Sequence, residues 1–221
     1  MRFLCLHGWG INSEIFEAQT APLRYQVGGE HTYEFVDGSF ACPPLPGLEA
    51  VYGPQQECYA YFDPSNLTSI LKALEDLKDY IGADGPFDGV IGYSQGAALA
   101  ATLLIQDKAD NPSQLHPLFK CAVFLSGGVP FDPAALARDE KRYLDPAVDG
   151  EPITIPTANI WGSNDVDFPD TSPRLSKLCT AEKRTEVVHV GGHEIPVLKG
   201  DLLADMVRAL NETVELALSV Q

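Results

Sequence analysis

The 221-residue sequence predicts a doubly wound α/β fold, with one mostly parallel sheet of about six strands and helices on both faces. Three observations predict it. Six short runs are rich in apolar residues and do not alternate strictly, which suits strands buried on both faces. Amphipathic stretches with helical spacing separate most of them. No linker, repeat or low-complexity segment interrupts the pattern, so residues 1–221 read as one domain.

The elements follow in order. Phe3 to Leu6 is an apolar run that stops at His7-Gly8. Ser13 to Tyr25 has helical spacing, with Ile15, Phe16, Ala18 and Leu23 as its apolar positions. Tyr33 to Val36 reads as the second strand. Residues 39–64 are rich in Pro, Gly and aromatics without a period, and a loop of that length in a compact domain is usually functional. Leu67 to Ile81 is a helix, with Asp63, Ser65 or Asn66 available as cap and Ile70, Leu71, Leu74, Leu77 and Ile81 on one face. Phe87 to Ile91 is a buried strand, and Gly96 to Ile105 a tightly packed Ala/Leu helix. Lys120 to Leu125 is the next strand, and residues 129–156 form a second irregular, cap-like segment. Thr157 to Trp161 and Thr185 to Val190 are further strands, separated by a helix near Arg174 to Cys179. The last helix, about Ile195 to Leu218, carries Leu198, Leu202, Met206, Leu210 and Val214.

Composition excludes several partners. The 15 basic and 31 acidic residues leave a net charge of −16. Such a surface repels phosphate backbones and anionic membranes, so nucleic acid and membrane are not expected partners. No apolar run approaches the roughly 20 residues of a membrane helix. The five cysteines include no Cys-x-x-Cys pair, so neither a metal site nor a redox motif is expected. A reduced, cytoplasmic setting is the simplest expectation.

Gly92-Tyr93-Ser94-Gln95-Gly96 fits G-x-S-x-G, between a strand and a helix as that motif requires. Small residues flanking the serine permit a tight turn that lifts its hydroxyl above the sheet. A serine needs a base to become nucleophilic, and the chain order expected of this turn is serine, acid, histidine. His193 follows Gly191-Gly192 after the last strand and is the expected base; His189 lies inside the strand and reads as structural. Asp165 and Asp167 both follow the strand ending at Trp161, and Asp165 is favoured. The expected oxyanion donors are the backbone N–H groups of Gln95 and Trp9, with His7 bracing the Trp9 loop.

The stretches Leu6-His7-Gly8-Trp9-Gly10-Ile11-Asn12-Ser13-Glu14-Ile15-Phe16, Phe87 to Ala98, Leu125-Ser126-Gly127-Gly128 and Gly191-Gly192-His193-Glu194-Ile195-Pro196 resemble the fungal family of serine hydrolases over nearly the whole chain. The resemblance implies an α/β-hydrolase fold and a Ser94–Asp165–His193 triad. It also implies an esterase or thioesterase. Acyl transfer through serine, histidine and aspartate is expected to need no metal or organic cofactor. Members include a thioesterase of lovastatin-type polyketide pathways, hydrolases of citrinin-type pathways, and carboxylesterases on alkyl esters. Tyr59-Ala60-Tyr61-Phe62 stands where many members have a tryptophan-containing stretch.

Both irregular segments leave the carboxyl ends of strands and should overhang Ser94. Phe40, Tyr61, Phe62, Val129, Phe131, Phe168 and Ile195 are therefore candidate substrate-binding residues, forming an apolar roof suited to an acyl chain. The leading expectation is release or trimming of a polyketide-type acyl product from a thioester or ester. The alternatives are a carboxylesterase on free small esters and a non-catalytic ligand-binding protein. An acyl carrier domain would be an acidic partner, and Arg138, Lys141 and Arg142 form the one basic group placed to meet it. Asp139 and Glu140 interleave with them, so self-pairing is the competing expectation.

Overall fold

The computed structural model describes residues 1–113, 117–196 and 199–219. The chain runs through β1 (Arg2–Leu6), α1 (Ser13–Val27), β2 (Thr32–Val36), β3 (Phe40–Ala41), α2 (Leu48–Tyr52), β4 (Tyr59–Ala60) and α3 (Leu67–Asp84). It continues through β5 (Gly89–Tyr93), α4 (Gln95–Asp110), β6 (Cys121–Leu125), α5 (Pro133–Leu136) and α6 (Pro146–Asp149). β7 (Thr157–Gly162), α7 (Thr171–Lys177), β8 (Arg184–His189) and α8 (Gly200–Ser219) complete it. The main sheet has six strands in the order β2-β1-β5-β6-β7-β8, and every pairing is parallel.

That order creates a switch point. From β1 the chain moves outward to β2, returns to β5 on the other side, and then proceeds steadily to β8. The crevice beyond the carboxyl ends of β1 and β5 is where an open α/β sheet accommodates a ligand.

Strand side chains alternate between two cores. Leu4, Leu6, Val90, Ala122 and Phe124 face α3 and α4. Phe3, Cys5, Ile91, Val123, Leu125 and Ile160 face α1 and α8. Helix α4 is buried from Gly96 through Leu104, which explains a sequence so short of polar residues. Asn12 caps α1 by accepting from the Ile15 N–H, and Asn66 caps α3 by accepting from the Ser69 N–H.

Several boundaries differ from the sequence expectation. β5 begins at Gly89 and extends to Tyr93, which remains in register with Leu125. The last helix starts at Gly200 and not at Ile195: Ile195 precedes a proline and is biased away from helix. Leu198, expected on that helix, lies outside the described residues. The segment 39–64 is less irregular than expected, because β3 and β4 pair into a short antiparallel ribbon with α2 between them. Within 129–156, Arg142 bonds both Asp132 and Asp149, joining α5 to α6.

Candidate active site

Ser94 occupies the turn between β5 and α4 with φ 50° and ψ −109°, a strained backbone for a non-glycine residue. The flanking glycines make the turn possible. A Cβ on Gly92 would lie 2.6 Å from Ala97 Cα, and one on Gly96 would lie 2.3 Å from the Leu6 carbonyl oxygen. Strands β5 and β1 therefore approach α4 closely only because Gly92 and Gly96 lack a side chain. The Ser94 carbonyl accepts from the Ala98 and Gly128 N–H groups, which fixes the turn from both sides.

His193 reaches Ser94 from the loop after β8. Its Nε2 lies 2.8 Å from Ser94 Oγ, and its Nδ1 lies 2.6 Å from Asp165 Oδ2. The acid loop after β7 and the histidine loop after β8 are stitched together. Ser163 N–H donates to the His189 carbonyl, Asn164 N–H to the Gly191 carbonyl, and the Asn164 side chain to the Val190 carbonyl. Gly162 permits this approach, since a Cβ there would fall 2.2 Å from both the Gly191 and Gly192 carbonyl oxygens.

Asp165 is buried and its second oxygen accepts the Phe168 N–H at 2.9 Å. Asp167 is exposed. The structure thus brings Asp165, and not Asp167, to the imidazole. Glu194 is exposed and accepts from the Gly192 N–H. Tyr93 donates its hydroxyl to the His193 carbonyl at 3.2 Å, tying the serine turn to the histidine loop. Burial, reinforced by Glu194 and Asp165, pushes the Tyr93 phenol well above its ordinary range, so it remains a donor.

The loop after β1 lies beside the serine: a Cβ on Gly8 would be 3.3 Å from Ser94 Cβ. Trp9 follows on that loop, and the Gln95 N–H is the first of α4, where no earlier helical carbonyl receives it. His7 is fully buried. Its Nδ1 donates to the Gly8 carbonyl at 2.7 Å, and its Nε2 accepts from the Gly38 N–H at 3.0 Å. Burial lowers its pKa, which keeps the ring neutral in that arrangement, against a smaller opposing pull from Asp37.

The expected apolar roof divides in two. Phe168 is 49% exposed, with its ring centroid 4.7 Å from that of His193. Phe40 is 40% exposed, and its ring lies 6.0 Å from Trp9. Both flank the serine side of the sheet. Tyr61, Phe62, Val129 and Phe131 are instead buried. Phe62 and Phe131 pack edge to face in the α3–α4 core, so they hold the two segments down. Ile195 packs against the core on the α1–α8 side. The basic group is also spent: Arg138 pairs with Glu140, Lys141 donates to the Pro64 carbonyl, and Arg142 lies between two aspartates.

The sequence reading missed Tyr93 and the side chain of Gln95, which donates to the Phe62 carbonyl and accepts from the Tyr61 N–H, both at 2.8 Å. Neither has a signal in the sequence beyond its place in the G-x-S-x-G turn.

An arrangement of hydroxyl, imidazole and buried carboxylate in this order can activate the serine oxygen and stabilise the imidazolium that forms.

Comparison with known proteins agrees in kind. The chain is 42% identical over 217 residues to esterase FPY3 of Fusarium mangiferae, covering 97% of each chain. It is 33% identical to hydrolase phiM of a fungal species, covering 88% of this chain and 86% of that one. A carboxylesterase from Mesorhizobium loti shares the fold, with TM-score 0.57 at 22% identity over 94% of this chain and 86% of that one. The Bacillus cereus carboxylesterase does likewise, with TM-score 0.57 at 17% identity over 95% of this chain and 87% of that one. The serine hydrolase (FSH1) family model matches residues 1–203, and the chain belongs to that family of hydrolytic enzymes.

Proposed function

We propose that the protein hydrolyses an apolar acyl ester or thioester by two-step acyl transfer, with Ser94 as nucleophile, His193 as base and Asp165 as its orienting acid. The observation that carries this reading is the unbroken relay from Ser94 Oγ through the imidazole to the buried Asp165. Ser94 attacks the carbonyl carbon while His193 Nε2 takes its proton. Asp165, accepting from Nδ1–H, selects the tautomer that leaves Nε2 free to act. The N–H groups of Trp9 and Gln95 receive the oxyanion. His193 then returns that proton to the leaving group, to an alcohol oxygen as it departs or to a thiolate once it has left, which frees Nε2 again. Water activated by the same nitrogen cleaves the acyl-enzyme and restores Ser94.

The exposed rings of Phe168 and Phe40 beside the serine favour an apolar acyl group. With the family resemblance, they support a polyketide-type acyl product and a role in secondary metabolism. A second reading concerns delivery. Arg138, Lys141 and Arg142 are already partnered, which favours a free small ester over an acyl group presented by a carrier domain. No residue of the relay calls for a metal or organic cofactor. A cytoplasmic setting is part of the proposal, consistent with five unbridged cysteines.

Labelling with a fluorophosphonate, followed by turnover of matched free esters and carrier-bound thioesters, tests these statements. Wild type should label at Ser94 and Ser94→Ala should neither label nor turn over. An unlabelled, inactive wild type would leave only a ligand-binding role. A strong preference for the carrier-bound substrate would reinstate the docking reading.

A further inference from the structure

Tyr61 was expected to touch substrate, yet it is buried, and both its hydroxyl and its main-chain N–H are hydrogen-bonded. Its hydroxyl accepts from the His7 N–H at 3.0 Å and donates to the Val36 carbonyl at 2.8 Å. Its ring lies 4.8 Å from the His7 imidazole. Its own N–H donates to Gln95 Oε1 at 2.8 Å, and Gln95 Nε2 donates to the next carbonyl, that of Phe62. One residue therefore joins the loop after β1 to the first residue of α4.

Those are the two places from which the oxyanion donors come. The Gly8 carbonyl and the Trp9 N–H belong to one planar peptide unit and point in opposite directions. His7 Nδ1–H holds that carbonyl at 2.7 Å, so it sets the plane and hence the aim of the Trp9 N–H. Tyr61 holds His7 through its main-chain N–H and by ring packing. On the other side, Gln95, whose N–H is the second donor, is immobilised by two hydrogen bonds at its side-chain amide, one accepted from the Tyr61 N–H and one donated to the Phe62 carbonyl. A bond that polarises the Gly8 carbonyl also strengthens the N–H of the same peptide.

We infer that Tyr61 is a positioning residue that presets both oxyanion donors before substrate arrives. This rests on the hydrolase reading above. Preorganised donors act on the transition state and not on the ground state. Loss of the Tyr61 hydroxyl should therefore lower kcat and leave KM unchanged. Displacements on this scale cost up to about 100-fold in rate.

The test is Tyr61→Phe, which keeps the ring and removes only the hydroxyl. Active sites are first counted by exhaustive fluorophosphonate titration, so that kcat is expressed per competent site. A fall in kcat of about 10- to 100-fold, with KM unchanged, is expected. Affinity for a boronic-acid transition-state analogue should fall by the same factor, while affinity for the product alcohol stays at the wild-type value. Gln95→Met removes both side-chain bonds but keeps the backbone N–H, so it tests the Gln95 arm by itself: the same signature is expected, and an unchanged kcat per site there overturns the assignment of both donors even if Tyr61→Phe does not fold. An unchanged kcat per site, or a loss explained wholly by fewer titratable sites, overturns the assignment. Wild type that neither labels nor turns over rejects the hydrolase reading itself, and the assignment with it.

Discussion

Asp165 and Asp167 stand two positions apart in one loop, and burial separates them. Asp165 places one oxygen on His193 Nδ1 and the other on the Phe168 N–H, while Asp167 faces solvent. Asp165→Asn would present an amide to the imidazole and favour the wrong tautomer. Turnover should fall by about 10⁴-fold with the fold retained, whereas Asp167→Asn should behave as wild type in the same ester assay. Near-equal losses in the two variants would refute the proposed role of Asp165. The serine turn and the histidine after Gly191-Gly192 could be singled out from sequence, because their glycines announce backbone geometry. The aromatic residues could not be sorted that way. Nothing in Tyr59-Ala60-Tyr61-Phe62 says which ring turns inward, and Tyr61 turns inward because its hydroxyl finds both a donor and an acceptor there.

Among the elements, α4 lies hard against the sheet, and the glycine at its start permits that approach. A Cβ at Gly96 meets main-chain atoms of Leu6 and His7, which have no freedom to retreat. Gly96→Ala should destabilise the fold by roughly 1–3 kcal/mol and depress turnover. Gly82 on α3 has open space around its missing side chain. Gly82→Ala should stabilise by about 0.4–1 kcal/mol and leave turnover unchanged. Urea denaturation of the two variants checks the contrast, and equal effects would show that the close approach carries no strain. The inner strands were legible because each is a mostly apolar run with a clear stop, and the edge strands β2 and β8 because aromatic or β-branched residues dominate them despite Glu34 and Glu186. The ribbon of β3 and β4 was not, since strands of two residues carry no period. Its pairing is fixed by partners distant in sequence: Gly10 N–H donates to the Tyr59 carbonyl, and Tyr59 N–H to the Ile11 carbonyl.

For the whole molecule, two buried histidines link stability to pH. Burial lowers the pKa of both His7 and His189 below the ordinary imidazole value of 6.5. The unfolded chain therefore binds protons that the native state refuses. The stabilisation is present above about pH 6.5 and drains away as pH falls below it. Thermal unfolding should show Tm decreasing from pH 7.5 to pH 5.5, and the decrease should be smaller in His7→Gln. A Tm independent of pH over that interval would contradict this. The net charge of −16 read from the sequence excluded polyanionic partners, but it could not show where the few cations go. Their pairing depends on loops that only the folded chain brings together, as when Arg142 closes on Asp132 and Asp149.

The ribbon that crosses the serine side grips the Gly10–Ile11 loop through main-chain atoms alone at Tyr59. Its outward side chains, Phe40 and Ala41 among them, take no part in that grip. On the proposed function, substrate preference and chemical competence would therefore be written in separable parts of the same ribbon. A lineage could then exchange its outward residues, one at a time, while the main-chain grip beneath stays in tune.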